Sequence, residues 1–458
     1  MSLWRILTEP ILEETRRNLA RSRARVPLHL QGPRQMLGRG GNGCGATIGA
    51  MPRCDFACVG CYLGEEANQV PPAPLEEIKA QMRALRPTLG NAGNLQLTDG
   101  EVTLRPVEEV IELLRYAQSL GLIPMLMTHG DSFRRRPGLL ERLVVEGGLV
   151  EVSIHIDTTQ RGRLGADYRH ARTEEELMPL REEFARMLRT VARTTGRPLR
   201  PATTMTVTAE NLAGVPAVVR WLTHNADIFR LVSFQPVAQV GRTAAGLGGG
   251  VSVEALWRGI AAGLSGDAGQ GEVLERSFVH VGHPDCTRYL PGMVSRDEGR
   301  APAFHPARTE GAANARFYDG FLERFGGVSF RLDSPLEKAA RMLALAAREP
   351  RFVLGGLGPY LMLLARQADP ARPLRFLWRL LRRQAGLHSL VIVSHHFMSR
   401  AEVDTPRGRE RLDLCVFHVP VHGALVPMCE VNTMGVRDAY YAQLSRSRRA
   451  PGVVATAG

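Results

Sequence analysis

Apolar positions along this chain change their spacing repeatedly, and the changes mark out elements. Residues 3–25 carry spaced apolar residues among many charges and read as an amphipathic helix interrupted near Pro10. A glycine-rich stretch from Gly38 to Gly49 follows, and beyond it short apolar runs alternate with longer helical ones. The pattern predicts helices at 75–85, 107–120, 139–145, 173–194 and 215–222, and strands at 94–98, 123–128, 149–156, 202–208 and 229–237. Strands alternating with helices at this spacing argue for βαβ units and a parallel sheet. About six units fit between residues 50 and 240, so the expected fold is α/β, a partial (β/α)6-type barrel. The site of such a fold lies at the C-terminal ends of its strands.

After residue 240 the alternation stops. The stretch GRTAAGLGGGVS reads as a loop whose glycines are not arranged for phosphate, and 292–311 reads as a second irregular region. Helices are expected over 336–384, then short strands at 389–394, 413–418 and 424–427. The expected organisation is an N-terminal helix and lead-in (1–44), a barrel (45–245), a mainly helical C-terminal subdomain carrying a short hairpin (246–445) and a disordered tail (446–458). The chain has no internal repeat.

Hydrophobic residues at 44% and charged residues at 23% describe a globular chain. The longest apolar stretch, 352–365, falls short of the ~20 residues a membrane span needs. No signal-like apolar segment opens the sequence, so a cytoplasmic location is expected. The net charge of +12 invites a nucleic-acid partner, yet lysine occurs only at Lys79 and Lys338 and the arginines are spread along the chain. A nucleic acid is therefore not favoured. One segment stands apart. Residues 374–383 place Leu374, Leu377, Trp378 and Leu381 on one helical face, with Arg375, Arg379, Arg382 and Arg383 largely elsewhere. Such a helix either packs on the barrel or makes a peripheral contact with the inner face of a membrane.

Three of the seven cysteines fall in Cys54-Asp-Phe-Ala-Cys58-Val-Gly-Cys61. A structural zinc site would want four ligands, commonly as paired CxxC groups, and no second pair lies nearby. Unrelated core cysteines would not crowd so closely. Three thiolates at this spacing can hold three irons of a [4Fe–4S] cluster and leave the fourth iron open.

This CxxxCxxC spacing resembles the signature of the radical S-adenosylmethionine (SAM) superfamily, and the likeness covers about residues 45–245. Thr98-Asp99-Gly100-Glu101-Val-Thr103 is similar to the family's glycine–glycine–glutamate motif, which implies that Asp99, Gly100 and Glu101 bind SAM, with Asp99 standing where the family has its first glycine. Thr128-His129-Gly130 ends the third predicted strand, where the family often has a small polar–glycine turn. The resemblance places Ser153, in Ser153-Ile-His155-Ile-Asp157, and Gln235, before Gly241-Arg242, at strand ends facing SAM or substrate. Gly60 stands where many members have an aromatic residue, and Tyr62 is the candidate to fill that space. The chemistry implied is one-electron cleavage of SAM to a 5′-deoxyadenosyl radical that takes hydrogen from an unactivated carbon, with ferredoxin or flavodoxin as electron donor.

Four further cysteines remain: Cys44, Cys286 in Gly282-His-Pro-Asp-Cys-Thr287, and Cys415 and Cys429 flanking a hairpin with His422-Gly423 at its bend. Four thiols would ligate a second iron–sulfur cluster, and His283 or His418 could complete a three-cysteine version. Cys415 suits a small core position equally well. The C-terminal pattern is similar to the radical SAM subgroup that includes the tetraether-lipid synthases, which implies an auxiliary cluster and C–C coupling on a lipid chain. A peptide- or RNA-modifying enzyme (sulfur insertion or methylation) is the alternative. A zinc-binding or nucleic-acid-binding protein without catalysis is the alternative from another class.

Overall fold

The computed structural model describes residues 2–245, 250–265, 269–331 and 334–447. Eleven strands form one sheet: β1 (Cys44–Ala46), β2 (Asn94–Leu97), β3 (Ile123–Thr128), β4 (Glu151–His155), β5 (Arg200–Val207), β6 (Leu231–Pro236), β7 (Thr287–Asp297), β8 (Ala303–Pro306), β9 (Ala385–His395), β10 (Phe417–Val421) and β11 (Ala424–Pro427). Their spatial order is β11-β10-β1-β2-β3-β4-β5-β6-β9-β7-β8. Strands β1 to β6 run parallel in chain order, each pair separated by helical crossovers, as the alternation predicted. Parallel strands must be covered on both faces. β5 accordingly buries every residue from Pro201 to Val207. The sheet curls into a half-barrel whose strands end, at their C-termini, around one cavity.

The first barrel strand is only three residues long and lies inside the glycine-rich stretch, too short to show a period. Gly45 explains its composition. A Cβ there would sit 2.5 Å from Leu85 Cδ2, so only glycine lets the helix Leu75–Leu89 pack this close to the strand.

The boundary expected at residue 245 marks where the βα alternation stops, not where the sheet ends. β9 pairs in parallel with β6, Leu231 opposite Val391, and β7 and β8 continue outward as antiparallel strands. At the other edge β10 lies parallel to β1 and returns antiparallel as β11. The hairpin bend is the expected one. His422 (φ 50°) and Gly423 (φ 82°) both take positive φ, as a two-residue turn of this hand requires. Two expectations differ from the structure. The region 292–311 is largely the β7–β8 hairpin, whose Pro291, Gly292 and Pro306 hide the strand pattern, as those residues do on strands away from a sheet centre. β10 begins at Phe417 rather than 413, because the helix Pro406–Asp413 runs up to it.

The helical stretch 336–384 is three helices, Pro335–Arg348, Pro350–Ala368 and Pro373–Leu381, each opened by proline at its first turn. The N-terminal segment is two, Leu3–Thr8 and Glu13–Ala24, divided around Pro10 as expected. Most of the expected tail, from residue 448, lies outside the described residues, as do residues 246–249 of the glycine loop. Among the described residues no helix is long and apolar enough to cross a membrane.

Burial holds several histidines neutral, lowering His305, His395 and His418 to about 4. A group with a depressed folded pKa takes up its proton on unfolding. Its contribution is therefore intact above the ordinary value near ~6.5 and is lost as pH falls toward ~4. Unfolding free energy should drop from pH 7 to pH 5, by on the order of 2 kcal/mol for His305 alone. The variant His305→Gln, which keeps a partner for Ser295 Oγ, should show a shallower pH dependence in urea titrations; parallel slopes would refute the assignment.

Candidate functional site

Residues 52–63 leave β1 as an irregular loop across the C-terminal end of the half-barrel, so its shape has to be imposed from outside. Backbone bonds do part of this: Val59 N–H donates to the Thr159 carbonyl (3.0 Å) and Cys54 N–H to Asn68 Oδ1 (2.8 Å). Phe56 does more. Its ring lies flat on His129, centroids 3.7 Å apart and planes 2° from parallel, with the Arg163 guanidinium 5.2 Å from its centroid. Arg163 is itself buried and donates to the carbonyls of His129 and His155, joining the ends of β3 and β4. Beyond the stack, His129 Nε2 meets Asp55 Oδ1 at 2.8 Å and Arg135 meets Asp55 Oδ2 at 2.6 Å. Burial works against the Asp55 charge, but these two partners outweigh it and hold the carboxyl well below the usual range.

Cys54, Cys58 and Cys61 all line one cavity of about 190 Å³. Burial pushes the Cys54 thiol up to about 12, with Glu101, Asp55 and Cys61 adding to it against a Phe56 N–H bond. Burial, then Cys61 and Cys54, likewise raise Cys58 well above the usual thiol value. Thiols raised in this way hold their protons until a cation replaces them. Arg242 faces the same cavity: burial opposes its charge, but Cys61, by charge and by a side-chain hydrogen bond, and then Cys58 and Cys54 favour it, while its Nε is buried without a hydrogen-bond partner. Three sulfurs beside a guanidinium suit an anionic iron–sulfur cluster. Cys54 also gathers with Asp55 and His129, their ligand atoms within 4.8 Å of one another, but those two side chains already bond to each other.

Glu101 is fully buried at the same cavity. Its Oε1 accepts from Thr103 N–H (3.1 Å), Thr103 Oγ1 (2.5 Å) and Thr128 Oγ1 (2.8 Å), and its Oε2 accepts from His129 N–H (2.9 Å). Gly100 lets this strand end touch the cysteine loop, because a Cβ would lie 2.4 Å from the Arg53 and Pro52 carbonyl oxygens. Asp99 also lines the cavity, but its carboxylate is engaged by Arg437 and by Gly49 N–H, and its φ of 124° is one that glycine would adopt more easily. Gln235 lines the cavity. Ser153 does not; its hydroxyl bonds Thr204 Oγ1 at 2.9 Å, and Thr204 reaches the cavity instead. At Gly60 a Cβ would meet Thr206 Cγ2 at 3.0 Å, so a larger side chain would have to push that neighbour aside. Tyr62 fills the neighbouring space, donating to the Asp99 carbonyl at 2.9 Å.

The outlying cysteines influence one another electrostatically, but among the described residues no three of them bring their sulfurs within 4.8 Å of one another. Cys286 and Cys415 both raise Cys429, and Cys286 and Cys44 raise Cys415, although burial is the larger cause and carries each of these two thiols to about 12. Each sulfur accepts an N–H: Cys286 from Arg411 Nε (3.3 Å), Cys415 from Phe417 (3.4 Å) and Cys429 from Met398 (3.4 Å). Cys44, at the start of β1, is buried near Tyr289. His283 Nε2 and His418 Nδ1 are buried without a hydrogen-bond partner. Phe397 and Phe417 line the triad's cavity on one side, while Phe397 packs against Cys429 and Phe417 bonds Cys415 on the other.

Residues 48–209 match the model of the radical SAM superfamily. The chain carries a radical SAM domain. That family works with a [4Fe–4S] cluster and SAM, and the matched residues span the cysteine triad and the Glu101 segment. A curated protein of Methanocaldococcus jannaschii, 7,8-dihydro-6-hydroxymethylpterin dimethyltransferase, is 25% identical over 198 residues, 43% of this chain and 37% of that protein. The match thus spans little more than a third of the relative's length. Among solved structures, Streptococcus suis SuiB bound to precursor peptide SuiA covers 51% of this chain and 46% of its own, at 13% identity and a TM-score of 0.33. The structure of tagged anSMEcpe with bound AdoMet covers 42% of this chain and 50% of its own, at 13% identity and a TM-score of 0.30.

Several residues around this cavity carry little signal in the sequence. Arg242 was visible only as part of a strand-end motif, and Phe397, Phe417 and Arg437 come from beyond the barrel. Arg437 carries no local signal, since its partner Asp99 is 338 residues away. Removing one member of a buried ion pair strands the other charge. Arg437→Met should therefore lower unfolding free energy by about 3–5 kcal/mol, with the loss reduced in the Asp99→Asn/Arg437→Met double variant, as denaturant titration would measure.

Proposed function

We propose that this chain is a radical SAM enzyme whose cluster is held by Cys54, Cys58 and Cys61 and whose substrate is attacked at an unactivated carbon. The observation that carries the reading is the convergence of three thiols, the fixed carboxylate of Glu101 and the Arg242 guanidinium on one cavity. When bound, the cluster and SAM, given one electron from ferredoxin or flavodoxin, supply a 5′-deoxyadenosyl radical. Glu101 is suited to receive the amino group of SAM: Thr103 and Thr128 saturate Oε1, while Oε2 takes one backbone N–H, and His129 Nε2, 3.3 Å away, is already bonded to Asp55, which leaves Oε2 acceptor capacity for an ammonium. Gln235 offers an amide to the polar parts of SAM, and Gly100 gives the strand end its close approach. Ser153 acts as a positioning residue through Thr204. Asp99 holds Arg437 and the C-terminal helix rather than SAM through its carboxylate. Arg242 balances the negative charge of the cluster.

Phe397, Phe417, Met428 and Val237 make the cavity wall apolar and exclude water from the reacting carbon. That wall favours an apolar substrate segment, and a lipid chain undergoing C–C coupling or other C–H functionalisation is the reading adopted. The Methanocaldococcus jannaschii relative is a pterin dimethyltransferase, so the likeness to tetraether-lipid synthases rests on the C-terminal motifs alone. Methylation or sulfur insertion on a peptide or RNA is the competing outcome. After anaerobic reconstitution with strong reductant, wild-type protein should release 5′-deoxyadenosine from SAM and Cys58→Ala should not. Glu101→Gln should raise the KM for SAM by about tenfold or more with cluster absorbance intact. Bound zinc in place of iron, with no SAM cleavage, would overturn the enzyme reading in favour of a metal-binding protein using Cys54, Asp55 and His129. An unchanged lipid extract from a deletion strain would remove the lipid substrate alone.

A second cluster held by Cys286, Cys415 and Cys429, with Cys44, His283 or His418 completing it, belongs to the same proposal. Arg411 beside Cys286, and the N–H bonds to each sulfur, suit thiolate ligands. Reconstituted protein should hold about eight irons, and Cys415→Ala/Cys429→Ala about four. Equal iron in both would leave these cysteines as core residues.

A further inference from the structure

Large apolar side chains are exposed unevenly in this molecule. On the half-barrel they stand singly, whereas four helices outside it each leave a stripe. Helix Pro373–Leu381 exposes Leu374, Trp378 and Leu381, at 68, 49 and 84%, with steps of four and three that put them on one face. Phe376, off that stripe, is buried. Helix Pro350–Ala368 exposes Leu354 and Leu361, and helix Pro335–Arg348 exposes Leu336 and Leu343, each pair seven residues apart. Helix Leu3–Thr8 adds Leu3, Trp4 and Leu7. These helices pack in series, the N-terminal one on Pro335–Arg348, which meets Pro350–Ala368, which meets Pro373–Leu381.

The charge around these stripes has one sign. Residues 335–384 contain ten Lys or Arg against three acids. Glu349 pairs with Arg324, Asp369 pairs with Arg300, and Glu337 closes a capping box. No ion pair engages Arg372, Arg375, Arg382 or Arg383 among the described residues, and Arg382 lies 3.8 Å over the Trp378 ring.

We propose that the face centred on helix Pro373–Leu381 docks on an anionic lipid bilayer, lying in its surface without crossing it. Leucines enter the acyl boundary, the tryptophan sits at headgroup depth, and the arginines reach phosphates from apolar stems. A second copy of this chain would bring two strongly basic faces together, and a nucleic acid would gain nothing from the leucines. The fold also sets the orientation. The helix leads into β9, whose Val391 pairs with Leu231 at the start of β6, so Ala385 lies about 20 Å beyond the N-terminal end of that strand. The cysteine triad is at the opposite end. Docking therefore holds the cavity away from the bilayer, and the surface serves to locate the protein whatever its substrate.

The test is cosedimentation of the full chain with vesicles of phosphatidylcholine alone, or with about one third phosphatidylglycerol. Binding should be about tenfold or more tighter to the anionic vesicles, and should weaken as salt rises from about 0.1 to 0.5 M. Leu374→Ser/Leu381→Ser should reduce it about tenfold, and Arg375→Glu/Arg382→Glu should remove the anionic preference, with thermal midpoints unchanged because these side chains are exposed. Equal binding to both vesicle types, or none, would overturn the proposal. So would a dimer in sedimentation velocity that the serine variant dissociates, since a second copy would then cover the face. The wild-type comparison stands even if a variant fails to fold.

Discussion

The flat contact between Phe56 and His129 is the constraint on which the rest of the site depends. The cysteine loop has no strand or helix of its own, so three thiols held at one cavity require a rigid floor. His129 supplies it, held by Asp55 on its far nitrogen, while its backbone N–H holds Glu101. One residue thus couples the cluster loop to the carboxylate assigned to SAM. Arg163 braces the same floor from β3 and β4. A shift of His129 would move the cysteine loop and the Glu101 carboxylate together, and that is a physical reason for the site to sit where parallel strands end in buried loops.

The second determinant is continuity of the sheet. Strands from both sides of the sequence close around the half-barrel: β9, β7 and β8 extend it beyond β6, and β10 and β11 extend it beyond β1. The last helices are then tied back by the buried Asp99–Arg437 pair, with the Arg437 guanidinium 4.8 Å over the Tyr62 ring. Asp99 occupies the place of a motif glycine, and its strained φ is offset by that pairing. The same closure brings Phe397 and Phe417 into the cavity wall and sets Cys429 and Cys415 behind them.

Legibility in the sequence followed the range of the interaction. Strands β2 to β6 and their helices were readable because burial on a parallel sheet imposes an apolar period within each segment. β1 was not, since three residues around Gly45 cannot carry a period and their composition answers to Leu85. The β7–β8 hairpin was hidden by proline and glycine. At the site, Cys54, Cys58, Cys61 and Glu101 were legible as types at a spacing. Ser153 was identified by strand position, but the neighbouring Thr204 is the side chain that reaches the cavity.

By itself the sequence determined the parallel α/β core and the chemical class of the triad, because both are written in local spacing. Tertiary structure alone decided the partners: Arg242 beside the thiols, Arg437 on Asp99, the aromatic wall and Arg411 on Cys286. Each joins residues tens to hundreds of positions apart. Such contacts depend on how the strand edges close in space, and no local pattern of hydrophobicity or charge encodes that closure.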